Sequence, residues 1–303
     1  MNMISTSAFY ERSGLSIASL RARTEDLQAK IASGERLSAG SDDPVAAARM
    51  RSLSRADTFS QIDASNAARA SSDLELTDRA LSSFADYIGR VKELATQAAN
   101  GTLNAGQRRG IATELGQIAG ELVHIANSRD SAGHALFGGE ATGQAYSVTG
   151  TVVSYDGTLS SGELSLGDGQ SVTRGLTGPE FLNFTGPSGP TTLFAVVQGL
   201  ADALNGAAVD PAQAARDSLG SLDTGLEAVT TAQTVVGARL NWIDLTTTRR
   251  VALTEQRGAE EADVGGTDVA ATMIQLQEAM TVLEASQASF TRVAQLSLFE
   301  MLR

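Results

Sequence analysis

There is no cysteine among the 303 residues. That removes disulfides, thiolate nucleophiles and zinc–thiolate centres together. Lysine is nearly missing as well: Lys30 and Lys92 are the only two, and the other basic residues are arginines scattered among acids. With a formal net charge of −12 the chain offers no clustered positive field for a phosphate backbone, so nucleic acid is not an expected partner. No run of about 18 apolar residues occurs, and membrane insertion is not expected either. The first thirty residues do not read as a cleavable leader, because Glu11, Arg12, Arg21 and Arg23 interrupt any apolar stretch. Aromatic residues make up only 5% of a chain that is 42% hydrophobic. Alanine and leucine must therefore do most of the packing, which suits helices in close contact.

What is present is period. In the last segment, from about Thr267, apolar residues recur at Val269, Met273, Leu276, Met280 and Leu283, then at Phe290 after a polar Gln287. In the first segment Ile17, Leu20, Thr24, Leu27 and Ile31 step by three and four. Both have the 3.5-residue spacing of a coiled-coil seam, so the two ends are expected to pair with each other or with other copies. Ser33-Gly34 stops the first helix. Ser41-Asp42-Asp43-Pro44 then reads as a helix start, with Asp43 as the cap and Pro44 where its missing N–H costs nothing; a carboxylate pair for metal or acid–base work is the weaker reading. A second helix follows to about Asn100, with Leu74, Thr77, Leu81, Phe84, Ile88, Val91 and Ala95 as its seam, and a third to about Arg129 carries Ile111, Leu115, Ile118, Leu122 and Ile125. From Gly133 the chain turns rich in Gly, Ser and Thr, with β-prone runs around Tyr146–Tyr155 and turn dipeptides at Asp156-Gly157 and Asp168-Gly169. Helix resumes at Leu193. A long helix after Asp210-Pro211 has its seam at Leu219, Leu222, Leu226, Val229, Gln233, Val236, Leu240 and Ile243.

The expected fold is therefore mainly α: a long coiled-coil-like bundle built by the N- and C-terminal halves, with a small inserted β-domain. The expected divisions are an N-terminal assembly segment over 1–43, half a bundle over 44–138, the β-insertion over 139–192, the other half-bundle over 193–264, and a C-terminal assembly segment over 265–303. Nothing in this pattern points to catalysis. His124 and His134 lack an obvious acidic companion at ligand spacing, and no G-x-S-x-G elbow occurs. The glycines of the insertion lack the lysine of a phosphate-binding loop. Neither a catalytic residue, a metal ligand nor a cofactor is expected. Trp242, beside the seam residue Ile243, reads as a core or subunit contact.

Met3-Ile4-Ser5-Thr6-Ser7, Ile31-Ala32-Ser33-Gly34-Glu35-Arg36-Leu37 and Ser41-Asp42-Asp43-Pro44-Val45-Ala46-Ala47 together resemble the flagellin superfamily, and within it the hook-associated proteins of the hook–filament junction. Asn100-Gly101-Thr102-Leu103, Ala135-Leu136-Phe137-Gly138-Gly139 and the closing stretch Leu296–Arg303 are similar to landmarks of that group. Gly237-Ala238-Arg239-Leu240-Asn241 is shared with filament flagellins, whereas Ser41-Asp42-Asp43-Pro44 favours the junction group. The resemblance implies a structural, non-enzymatic subunit of the bacterial flagellum, exported through the flagellar channel without a cleaved signal. It implies a homo-oligomeric ring that joins another hook-associated protein on the hook side to flagellin on the filament side. It also implies termini that order on assembly, and a cytoplasmic export chaperone covering Met273, Ile274, Leu276, Met280 and Leu283. The assembly interface expected on this basis is Ile17, Leu20, Leu27, Ile31, Met273, Leu276, Met280, Leu283 and Phe290. A filament-forming flagellin is the alternative, and a ligand-binding module on the insertion is a remoter one.

Overall fold

The computed structural model describes residues 3–130 and 132–301. Four long helices carry most of the chain: α1 (Met3–Ser33), α2 (Pro44–Ala98), α6 (Pro211–Gly265) and α7 (Val269–Met301). Between α2 and α6 come α3 (Ala105–Ala126), three hairpins, the short α4 (Pro179–Leu182) and α5 (Leu193–Asp202). The closing residues Leu302 and Arg303, part of the stretch that resembles the family's end, lie outside the described residues.

The helix boundaries follow from local chemistry. Asp43 accepts a hydrogen bond from the Ala46 N–H at 3.0 Å, so it caps α2 ahead of Pro44 as the sequence indicates. Asp42 closes the preceding turn, accepting from the backbone N–H groups of Ser38 and Ala39 and from the Ser38 hydroxyl. The N–H of Ala39, then the Ser38 hydroxyl, hold its carboxyl below the usual range. Both carboxylates are thus engaged as caps, not poised as a reactive pair. Asn104 and Gln107 form a reciprocal capping box at the start of α3. Asp210 accepts from the N–H groups of Ala212 and Gln213 and caps α6; Asp268 accepts from that of Ala271 and caps α7.

The chain divides into two compact units. One holds the residues up to Thr58 and from Ala252 onward, and the other runs from Phe59 to Val251. This division falls inside α2 and α6, not at the Gly34–Asp43 and Gly265-Gly266 links. The terminal unit is an antiparallel pairing of α1 with α7, extended by the start of α2 and the end of α6. The central unit has one core. The α2 seam from Leu74 to Ala95 is buried throughout, facing Leu115 and Leu122 of α3 and Leu222, Val229 and Val236 of α6. Each such Leu, Phe or Val side chain contributes about 1.5–3 kcal/mol on burial. At its centre Phe84, Phe137 and Phe181 meet ring to ring, with centroids 5.0–6.1 Å apart. Phe137 brings the turn after α3 into that core.

The inserted β-region is not one sheet. It consists of three separate antiparallel hairpins: β1–β2 (Tyr146–Thr149, Val152–Tyr155), β3–β4 (Glu163–Gly167, Gln170–Thr173) and β5–β6 (Asn183–Gly186, Gly189–Thr192). Asp168-Gly169 is the β3–β4 turn, and both residues take positive φ, as a two-residue hairpin requires. Asp156-Gly157 lies in the link from β2 to β3, not in a hairpin turn; the β1–β2 turn is Gly150-Thr151. After α5 a π-helical turn over Ala203–Ala207, with Gly206 at φ 111°, ends the helical run that resumes at Leu193.

Candidate assembly interface

α1 buries the face the spacing indicates. Thr24 and Leu27 are buried, while Tyr10, Ile17, Leu20 and Ile31 are half-buried on the same stripe. α7 meets it differently. The residues turned towards α1 are Thr272, Leu276, Ala279, Leu283, Ser286 and Phe290, of which Ala279 is the most buried. Phe290 stands edge-on to Tyr10 with ring centroids 5.6 Å apart. Leu276, Leu283 and Phe290 of the expected α7 seam therefore pack within the chain. Met273 and Met280 do not: they are 58% and 42% exposed. The seam inside the chain runs through small residues that let the helices approach, whereas Val269, Met273, Ile274 and Met280 form an uncovered apolar flank.

A short two-stranded link aligns this hairpin. The N–H of Arg36 donates to the Gly265 carbonyl at 2.7 Å, and that of Thr267 to the Gly34 carbonyl at 2.8 Å. Gly34, at φ 74°, makes the reversal out of α1. The Arg36 guanidinium donates to the Val264 carbonyl and to Asp43. Arg49 grips Glu260 with two donors, and the first effect of that hydrogen bond is to hold the Glu260 carboxyl below its usual range. This network depends on residues 36–49 meeting 260–267, pairs too distant in sequence for spacing to reveal.

The central unit contains a second polar cluster. Arg174, just after β4, donates to Asp73 of α2 at 3.0 Å and to Asp130 after α3 at 2.6 Å. Both carboxylates are buried. Burial alone pushes the Asp130 carboxyl up, but hydrogen bonds from the backbone of His134 and Ala132, then the charge of Arg174, hold it below the usual range. His134 does have an acidic neighbour, since its Nδ1 lies 3.5 Å from Asp130. Three further side chains from the helices hold the insertion by its backbone: Asn66, Arg250 and Arg239 donate to the carbonyls of Ser165, Leu166 and Gly175. The polar cavity beside Arg174 has a volume of about 320 Å³ and is lined by Asp73, Asp130, Glu140, Glu163, His134 and Arg174 among others. Among the described residues no three His, Asp or Glu groups converge as metal ligands. His124 is exposed on α3, and Trp242 is 39% exposed on α6, so it is not a core residue.

Long helices packed along apolar seams, with an apolar flank left open on the last of them, define a structural protein of coiled-coil type. Comparison with known proteins gives that class a family setting. Residues 4–142 match the bacterial flagellin N-terminal helical region. Over its whole length the chain is similar to the flagellar hook-associated protein 3 of Salmonella typhimurium, at 27% identity covering 99% of each chain. A filament core protein of Treponema maltophilum is 25% identical over 93% of this chain and 92% of its own. The fold is shared with a solved structure titled as a putative flagellar hook-associated protein from Vibrio parahaemolyticus, with a TM-score of 0.69 and 22% identity. That match covers 74% of this chain and all of the other.

Proposed function

We infer that this chain is a non-enzymatic structural subunit of the bacterial flagellum that acts at the hook–filament junction. The observation that carries this reading is the end-to-end likeness to hook-associated protein 3, which takes in both terminal helices and the insertion between them. The open apolar flank of α7, at Val269, Met273, Ile274 and Met280, supports a finer statement. Copies of the chain associate as a ring through their terminal helices, with a hook-associated protein on one side and flagellin on the other. Before assembly the same flank, with Leu276 and Leu283, is the surface an export chaperone covers, because an uncovered apolar stripe invites aggregation.

Deleting the gene in its own organism tests the reading. Cells should carry hooks without filaments and release flagellin monomers into the medium. Filaments of normal length on the deleted strain would refute it. The likeness to a filament core protein makes a filament subunit the second reading. Purified protein that elongates without limit from seeds of itself would favour that one.

A further inference from the structure

α6 carries two heptad stripes, and only one is used inside the chain. Leu222, Val229, Val236 and Ile243 are buried in the central core. On the adjoining flank Val235, Ala238, Trp242 and Leu245 step by three and four residues, and all four are exposed, Leu245 to 61%. An exposed apolar stripe of this period has the shape that a second helix fits.

α3 presents the opposite relief. Gly106, Gly110, Thr113, Gln117 and Gly120 step by four and three along its exposed face. A side chain at Gly110 or Gly120 would meet nothing within 4 Å. Glycine is a poor helix former, and no turn or internal contact here requires it. What its absence of a side chain does allow is close approach by another backbone.

The charges match as well. Arg249 is exposed at the end of the α6 stripe and Glu121 is exposed beside Gly120, and among the described residues neither joins an ion pair. Eleven positions separate Ala238 from Arg249, and eleven separate Gly110 from Glu121. Direction is consistent too. α2 runs antiparallel to α3, bound by Arg90 to Glu114, and antiparallel to α6, where Ser82 meets Gln233 and Lys92 meets Asp223. α3 and α6 therefore point the same way, and rotation about an axis along the bundle keeps them parallel between copies.

We propose that the α6 ridge of one copy packs into the α3 face of the next, with Ala238 on Gly110 and Arg249 on Glu121. The contact joins two different faces, so it propagates from copy to copy and closes into a ring when the rotation allows. This inference rests on the ring reading above.

The cysteine-free background makes the test clean. A chain carrying both Gly110→Cys and Ala238→Cys is expressed in its own cells, and isolated flagella are oxidised with copper phenanthroline in air. The expected result is a ladder of covalent multimers from the double variant and monomer from each single variant. A double variant that is incorporated into flagella but stays monomeric overturns the α3–α6 contact and leaves the ring reading standing. Dimers from a single variant mean that like faces meet, which also overturns it. Absence of the cysteine-free parent from flagella defeats the ring reading and this inference with it. Gly110→Leu provides the second arm. It should keep or raise the thermal midpoint of the purified chain while lowering incorporation into flagella at least tenfold. Normal incorporation would show that the α3 face is unoccupied.

Discussion

Arg174 illustrates how much single side chains decide here. Its guanidinium joins α2, the turn after α3 and the β3–β4 hairpin, while the hairpin itself is held through backbone carbonyls. Arg174→Ala would leave Asp73 and Asp130 buried without their cation. Arg174 is itself 36% exposed, so the cost should be about 1–3 kcal/mol, below the full value for a buried pair. Thermal or urea unfolding of the purified chain measures it. Because the folded Asp130 carboxyl lies below its unfolded value of about 3.9, its stabilisation is present above that pH and is lost as pH falls through the lower folded value. The thermal midpoint should therefore drop below about pH 4, and Arg174→Ala should make that acid limb shallower. Tyr146 makes the opposite case. Its hydroxyl is buried without a hydrogen-bond partner among the described residues, and burial pushes its pKa far up. Tyr146→Phe should leave stability unchanged or raise it by up to about 1 kcal/mol, because it removes an unpaired polar group and keeps the ring contacts with Tyr155 and Phe194.

Among the elements, α7 shows what spacing reveals and what it hides. Its heptad period is evident in the sequence, and so is the Ile17–Ile31 stripe of α1 that it meets. The face it presents is not. Two heptads share Leu276, Leu283 and Phe290, and one adds Val269, Met273 and Met280 where the other adds Thr272, Ala279 and Ser286. Hydrophobicity selects the first, but close approach to α1 selects the second, because small residues admit a neighbouring helix. Helix starts were legible because they are local: Asp43-Pro44 and Asp210-Pro211 need only their next few residues. The Asp168-Gly169 hairpin was legible for the same reason. The β5–β6 hairpin was not, since Pro187-Ser188-Gly189-Pro190 reads as loop and its strands are four residues each. Arg174 with Asp73 and Asp130 lies beyond sequence reasoning, for 101 and 44 positions separate the partners. The two α7 flanks also separate in mutation. Met280→Asp should leave the purified chain's stability within about 0.5 kcal/mol and still abolish incorporation into flagella, as an exposed substitution that touches only an interface. Leu276→Asp should weaken the α1–α7 pairing as well, seen as faster amide exchange in α1, while the Phe59–Val251 unit stays folded. Equal exchange in the two variants would show that Leu276 does not hold the pairing.

For the whole molecule, the plan is a central bundle with its own aromatic core and a terminal hairpin that carries an unused apolar flank. The insertion is built of three separate hairpins, anchored through backbone carbonyls, through the Arg174 guanidinium and through core side chains such as Tyr146, Leu166, Val172 and Phe181. That arrangement suits the structural role proposed above, and it requires no reacting group. Position in the flagellum is what separates a junction subunit from a filament subunit, because both draw on the same helical scaffold. The most direct measurement is labelling in place. A single cysteine on the exposed β1–β2 turn, Thr151→Cys, is tagged with a maleimide–gold label on intact cells and viewed by electron microscopy. A junction subunit should give one narrow band of label at the boundary between hook and filament. Label spread along the filament would contradict the junction reading.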